Sequence, residues 1–306
     1  MLSLAFSKKS LEVQRKVVCE EFKEHYINRP YGDIWFKMRE MAYEVHPYRW
    51  MTIGKELKHV EDATLEDVKS FFRKHYNPIN AILVVAGNVV TEQIYELSLK
   101  WFGDIPSGTK YHRNIPQEKE QQEARRMDIT ADVPVDAFLK TWHMPARLDP
   151  DYYAADLITD ILGSGASSRL YQALVKEKQF FSNIDCYHFG STDAGLLCID
   201  GKLVKGVRPE DAELAVQAQL DLLIKEGVSP LELEKVKNKT ESTMAFEDMS
   251  IMNRAASLAY YELLGDADLM NTELTKYNNV TADQIVTLSR RIFDEKNSHT
   301  LFYRAK

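Results

Sequence analysis

Apolar residues recur at helical spacing over residues 10–28, where Leu11, Val18 and Phe22 fall on one face at about 100° per residue. Ser10 stands at the head of this pattern as a candidate cap. Arg29-Pro30 closes it, because proline disfavours helical backbone in the residue before it. A second helical pattern covers Gly32 to Val45. Thr64 and Asp67 have capping-box spacing ahead of an amphipathic run that ends near His75, before Asn77-Pro78. The next segment, Ala81 to Asn88, is continuously apolar, rich in β-branched residues and bounded by turn formers, which predicts a buried strand. Thr91 is placed to cap a helix ending at Trp101-Phe102-Gly103.

The same order returns near the carboxy terminus. Thr64 corresponds to Thr281, Val68 to Ile285, Arg73 to Arg290, Tyr76 to Phe293 and Asn80 to Asn297, at one constant offset without a gap. A capped helix followed by a strand, repeated in register, predicts two related halves. Between them Gly103 to Arg126 is rich in Pro, Gly, Glu, Gln and Lys without periodicity, as expected of an exposed linker. The boundary is placed near 118, giving halves 1–117 and 118–306. In the second half, strands are predicted over 126–131, 137–143, 183–189, 195–204 and 300–303. Helices are predicted over 152–162 and 168–178, and three more between Pro209 and Asp294. Strands and helices arrive in blocks instead of strict alternation, so the predicted class is α+β: each half an antiparallel-rich sheet with helices on one face, the first half incomplete.

Charge and composition narrow the function. A net charge of −7, with Lys and Arg scattered among Asp and Glu, repels a phosphate backbone and argues against nucleic acid as a partner. Cys19, Cys186 and Cys198 are widely spaced and contain no C-x-x-C, which argues against a disulfide framework or a cysteine metal site. No apolar run reaches the roughly 18 residues of a membrane span. A soluble chain is expected, in the cytoplasm by preference or in the periplasm if a leader precedes it.

The 8 histidines are His25, His46, His59, His75, His112, His143, His188 and His299, and none has another histidine four positions later. Metal-binding pairs on one helix turn are therefore missing. His25 lies one turn after Glu21, a spacing read as an exposed helix histidine before a metal pair. Gly163 to Arg169 lacks the G-x-x-x-x-G-K-[ST] pattern of a phosphate loop and reads as a tight turn with a helix cap. Glu21 projects between Val17 and Val18 at the flank of the apolar face, whereas Glu20 points to the opposite side and reads as a solvated carboxylate. Taken alone, Glu21 reads as a border carboxylate paired with Lys or Arg.

Three stretches taken together change that. Ser10 to Phe22, with its Val17-Val18-Cys19-Glu20-Glu21, is followed by His46-Pro47-Tyr48 and Gly54. His75-Tyr76-Asn77-Pro78 leads into Ile82 to Val89, then Trp101-Phe102-Gly103 and Pro106. Ser164-Gly165-Ala166-Ser167-Ser168-Arg169-Leu170-Tyr171 precedes Leu174 to Gln179. In this order and spacing the chain resembles the M16 (pitrilysin, insulinase-like) zinc metallopeptidases over nearly its whole length.

The resemblance implies a hydrolase in which zinc is held by two His of an H-x-x-E-H helix and a Glu on a later helix, with the Glu inside the motif as general base. It implies that Glu21 is the later ligand, and that the amino-terminal segment carrying H-x-x-E-H is missing. No catalytic residue is then expected in this chain, which alone is expected to be inactive. Gln14 stands where the family usually has a supporting Glu; an amide hydrogen-bonds without adding charge. In place of a substrate-contacting Arg and Tyr the sequence has Val175 or Lys176, depending on alignment, and Ser182, so Lys176 and Ser182 are the candidates there. The partners implied are an extended peptide held between the halves and either a second copy or another M16 chain. The competing expectation is a non-catalytic partner or scaffold subunit.

Overall fold

The computed structural model describes residues 6–306, which divide into two compact units that interleave along the chain. One contains Pro30–Trp50, Pro116–Thr243 and Thr272–Lys306; the other contains residues up to Arg29, Met51–Ile115 and Met244–Asn271.

The first of these is built on a five-stranded sheet. Its strands are β1 (Arg125–Ala131), β2 (Ala137–Met144), β3 (Phe181–Phe189), β4 (Gly195–Leu203) and β5 (Ser298–Ala305), in the order β1-β5-β2-β4-β3. Only β1 and β5 pair in parallel; the other neighbours are antiparallel. These are the segments whose apolar alternation predicts strands. The central β2 is buried along nearly its whole length, so both of its faces are covered.

The alternation of side chains assigns each face its cover. Phe138, Lys140 and Trp142 point to the side of α7 (Pro209–Glu226) and α11 (Ala282–Ile292). There Lys140 Nζ donates to Glu213 at 3.0 Å, and the Trp142 ring meets Phe293 edge-on at 5.0 Å. On the opposite face α2 (Ile34–Ala42) lays Met38 and Met41 against Leu139, Leu301 and Tyr303. Helix α6 (Tyr152–Gly163) ends so close to β3 that a Cβ on Gly163 would stand 2.0 Å from the Cys186 nitrogen, which only glycine allows. Between Pro209 and Asp294 the chain forms five helices, not the three expected: α8 (Pro230–Glu247), α9 (Ile251–Leu264) and α10 (Leu269–Asn278) lie between α7 and α11. Short turns at Gly227 and Gly265 make breaks that the apolar pattern alone does not show.

The other unit is helical among its described residues. Helix α1 (Lys8–Phe22) packs against α3 (Leu57–Glu61), burying Cys19 and Phe22, and runs straight into a π-helical turn, Lys23–Ile27. Ser7, not Ser10, caps α1, its hydroxyl accepting the Ser10 N–H at 3.0 Å. Both serines fit the cap preference, and only backbone geometry separates them. Helix α4 (Leu65–His75) opens with the expected reciprocal capping box between Thr64 and Asp67, and α11 opens with the equivalent one between Thr281 and Gln284. Helix α5 (Thr91–Phe102) follows.

The strand predicted over Ala81 to Asn88 does not form. The segment leaves a 3-10 turn in extended backbone, but among the described residues Ile82 to Ala86 make no backbone–backbone hydrogen bond, and Ile82, Leu83 and Val85 are exposed. A strand is defined by its neighbours. Its counterpart in the repeat, β5, has β1 on one edge and β2 on the other. Among the described residues no helix is long and apolar enough to cross a membrane.

Candidate functional site

Glu21 sits in the last turn of α1, one residue before the buried Phe22. The inward face of the helix is set by Cys19 and Phe22, with Leu11, Arg15 and Val18 half-buried beside them. Glu21 and Gln14, two turns apart, stand exposed on the adjoining flank with Val17, which is 54% exposed. Glu20 and Glu21 have different surroundings. Glu20 accepts from Lys23 Nζ at 2.8 Å, whereas no hydrogen bond or ion pair engages the Glu21 carboxylate among the described residues. Glu21 borders a shallow, open depression of about 540 Å³ lined by Lys16, Val17, Glu20, Glu21 and Glu24. The π-helical turn that follows widens the helix immediately beyond this carboxylate, and His25 stands exposed on it.

Lys176 and Ser182 belong to the sheet-bearing unit. Lys176 is exposed on a second π-helical stretch, Tyr171–Glu177, with Nζ 5.7 Å from the Tyr171 ring centroid. Ser182 occupies the bulge where β3 slips against β4, and its hydroxyl donates to the Lys202 carbonyl at 3.2 Å. A bulge re-aims a side chain, and Ser182 is turned to solvent.

The His46-Pro47-Tyr48 stretch serves as a fastening. The His46 ring is buried; its Nδ1 accepts the Tyr48 N–H at 3.1 Å, so the proton lies on Nε2, which faces Asp193 at 3.2 Å. The Glu118 carboxylate accepts three successive backbone N–H groups, from Glu44 at 2.8 Å, Val45 at 3.0 Å and His46 at 2.9 Å. Burial opposes its ionisation, yet the three donors outweigh that and hold Glu118 below the usual carboxylate range. Three residues on, Gln121 is buried. Its amide donates to the carbonyls of Lys296 and Ser298, which fixes its oxygen 2.6 Å from His299 Nε2. Burial, and after it the neighbouring His143, drive His299 down to about 3, so both imidazoles of this pair are neutral near pH 7. The exposed linker expected over Gly103 to Arg126 is therefore anchored at Glu118 and Gln121. Neither residue carries a local signal, since their partners are remote in sequence.

Four-coordinate zinc needs three protein ligands at a catalytic site. Among the described residues no three His, Cys, Asp or Glu side chains converge in a way that would hold a metal ion. The described residues therefore do not fit a complete zinc site.

Known proteins give the context. The chain is similar to the zinc protease PqqE of Helicobacter pylori, with 27% identity over 294 residues; the match covers 95% of this chain and 66% of that protein. The chain thus spans just under two thirds of that relative's length. It superposes on the crystal structure of a protease from Helicobacter pylori with a TM-score of 0.90 at 26% identity, covering 99% of this chain and 73% of the other. It also superposes on the peptidase M16 inactive domain from Pseudomonas fluorescens with a TM-score of 0.84 at 19% identity, covering 99% and 71%, a likeness of fold. A model of the peptidase M16 inactive domain matches residues 62–240, more than half of the sequence, and the chain belongs to the peptidase M16 family.

Proposed function

We propose that this chain is the part of a zinc-dependent M16 peptidase that contributes one acidic metal ligand, Glu21, while two histidines and the general base come from polypeptide outside this sequence. The observation that carries the proposal is the unengaged carboxylate of Glu21. It lies beside a depression, on the flank adjoining the packed face of its helix, while its neighbour Glu20 is already ion-paired. Gln14, two turns earlier on the same flank, supports the ligand by hydrogen bonding without charge. Lys176 and Ser182 are proposed to contact the peptide, Lys176 as a point charge in place of a planar fork. The halves are proposed as 1–117, which brings the ligand, and 118–306.

The test is zinc binding and cleavage of a fluorogenic peptide by the chain mixed with a separate M16 segment that carries an H-x-x-E-H motif. Zinc uptake and cleavage are expected only in the mixture, and both are expected to be lost with Glu21→Ala. The second reading, a non-catalytic peptide-binding or scaffold subunit, is favoured by Lys176 and Ser182 standing where active relatives are expected to have Arg and Tyr. Complex formation and peptide binding without cleavage would select it.

A further inference from the structure

The end of the β3–β4 pair that carries Ser182 gathers positive charge. Lys202 of β4 stands opposite Asn183 of β3, and its carbonyl accepts the Ser182 hydroxyl. Just beyond, the Val204 N–H donates to the Phe180 carbonyl at 3.0 Å, which brings the backbone around Lys205 and Lys178 side by side. Lys176 lies on the π-helical stretch that leads into β3. Paired strands run about 5 Å apart, so this set of lysines fits within the span of a short extended peptide. Among the described residues no carboxylate stands within ion-pair distance of any of the four. Of the acids close by in the chain, Asp136 accepts the Ala305 N–H at 2.8 Å, Asp200 accepts the Tyr187 hydroxyl at 2.6 Å, and Glu177 is exposed.

Lys202 differs from a solvated surface lysine. It is half-buried, with Nζ 3.4 Å from the Tyr31 ring centroid, and burial draws its ammonium below the ordinary value. In the same unit Lys140, Arg147 and Arg169 are buried or half-buried too, and each faces a carboxylate, of Glu213, Glu273 and Glu232. A cation taken partly out of water without a counter-ion is destabilised, and an anion bound beside it relieves that cost.

We propose that this end of the β3–β4 pair selects acidic peptides, with one carboxylate of the ligand meeting Lys202 and neighbouring ones meeting Lys178 and Lys205. The inference rests on the reading that Lys176 and Ser182 contact a peptide, and it adds the class of peptide. The chain as a whole has a net charge of −7 and repels an acidic ligand elsewhere, so the patch also fixes where such a ligand lies. Lysines act as point charges without the planar fork that holds one carboxylate geometry, so the site reads a run of Asp or Glu instead of a single residue.

The test is fluorescence anisotropy of labelled peptides of equal length, one rich in Glu, one neutral and one rich in Lys, with the full chain at low and moderate salt. The Glu-rich peptide is expected to bind about tenfold more tightly than the neutral one, with the preference shrinking as salt rises. The Lys-rich peptide is expected to bind most weakly. Lys202→Gln, and separately Lys178→Gln with Lys205→Gln, are each expected to remove most of the preference; the second pair is exposed and is expected to leave the unfolding midpoint unchanged. Glu21→Ala is expected to leave peptide binding as it is. Equal binding of the three peptides would overturn the selectivity and leave the peptide-contact reading standing, whereas binding of none would overturn both. A Glu-rich preference that persists in both sets of variants, or that single-stranded DNA of the same charge matches, would overturn the proposal as well.

Discussion

The Glu118 carboxylate accepts the backbone N–H of His46 at 2.9 Å, joining the residue that opens the His46-Pro47-Tyr48 turn to the chain just ahead of β1. With Glu44 and Val45 as further donors, a single side chain satisfies three otherwise orphaned amides. Replacing it by alanine is expected to lower the unfolding free energy of the sheet-bearing unit by about 1–2 kcal/mol, with Glu118→Gln in between. Because the folded carboxyl is held below its ordinary range, the contribution is full above the unfolded carboxyl value and disappears as the pH falls through the folded one. Urea unfolding of wild type and variant at neutral and acid pH checks both statements: the difference between them is expected to close in acid.

His299 titrates in a different window. Its folded value of about 3 lies below the ordinary 6.5, so between those two values the unfolded chain binds more protons than the folded one. Stability is therefore expected to fall as the pH drops from about 6.5 toward 3, with a slope from this group approaching about 1.4 kcal/mol per pH unit. His299→Gln keeps a polar group opposite Gln121 and removes that proton. A shallower fall in unfolding free energy between pH 7 and 5 is expected for the variant, and an unchanged slope would place the titration elsewhere.

Arg147 and Glu273 form an ion pair in which both side chains are buried, and the Tyr153 hydroxyl donates to the second Glu273 oxygen at 3.1 Å. Removing one member leaves the other charge uncompensated in a dry site. Glu273→Ala is expected to cost about 3–5 kcal/mol, measured by chemical denaturation. Glu273→Ala combined with Arg147→Met is expected to recover part of that loss.

What could be read from the sequence follows a physical division. The capping boxes at Thr64 and Thr281, the five strands of the sheet and the inward face of α1 are local patterns, and they appear where the patterns place them. Ala81 to Asn88 carries an equally clear local pattern, yet strand formation depends on neighbours that no window of sequence contains. Glu118 and Gln121 are illegible in the sequence for a related reason: they have partners 74 and 178 residues away, and an isolated acid or amide in a linker gives no periodic signal. Helix geometry separates Glu21 from Glu20, and the family pattern gives it a role; its exposure and its lack of a partner among the described residues are properties of the fold.

That exposure yields a further prediction. A surface carboxylate without a partner contributes little to folding, so Glu21→Ala is expected to change the stability of the chain by no more than about 0.5 kcal/mol. A thermal melt checks this, and a large destabilisation would mark Glu21 as a structural residue.

The most direct measurement is the metal content of the purified chain by mass spectrometry, with hydrolysis of a fluorogenic peptide followed in the same sample with and without chelator. If Glu21 is one ligand of a zinc ion shared with another segment, zinc is expected well below one equivalent, with no chelator-sensitive cleavage. One equivalent of zinc accompanied by chelator-sensitive peptidase activity would contradict that.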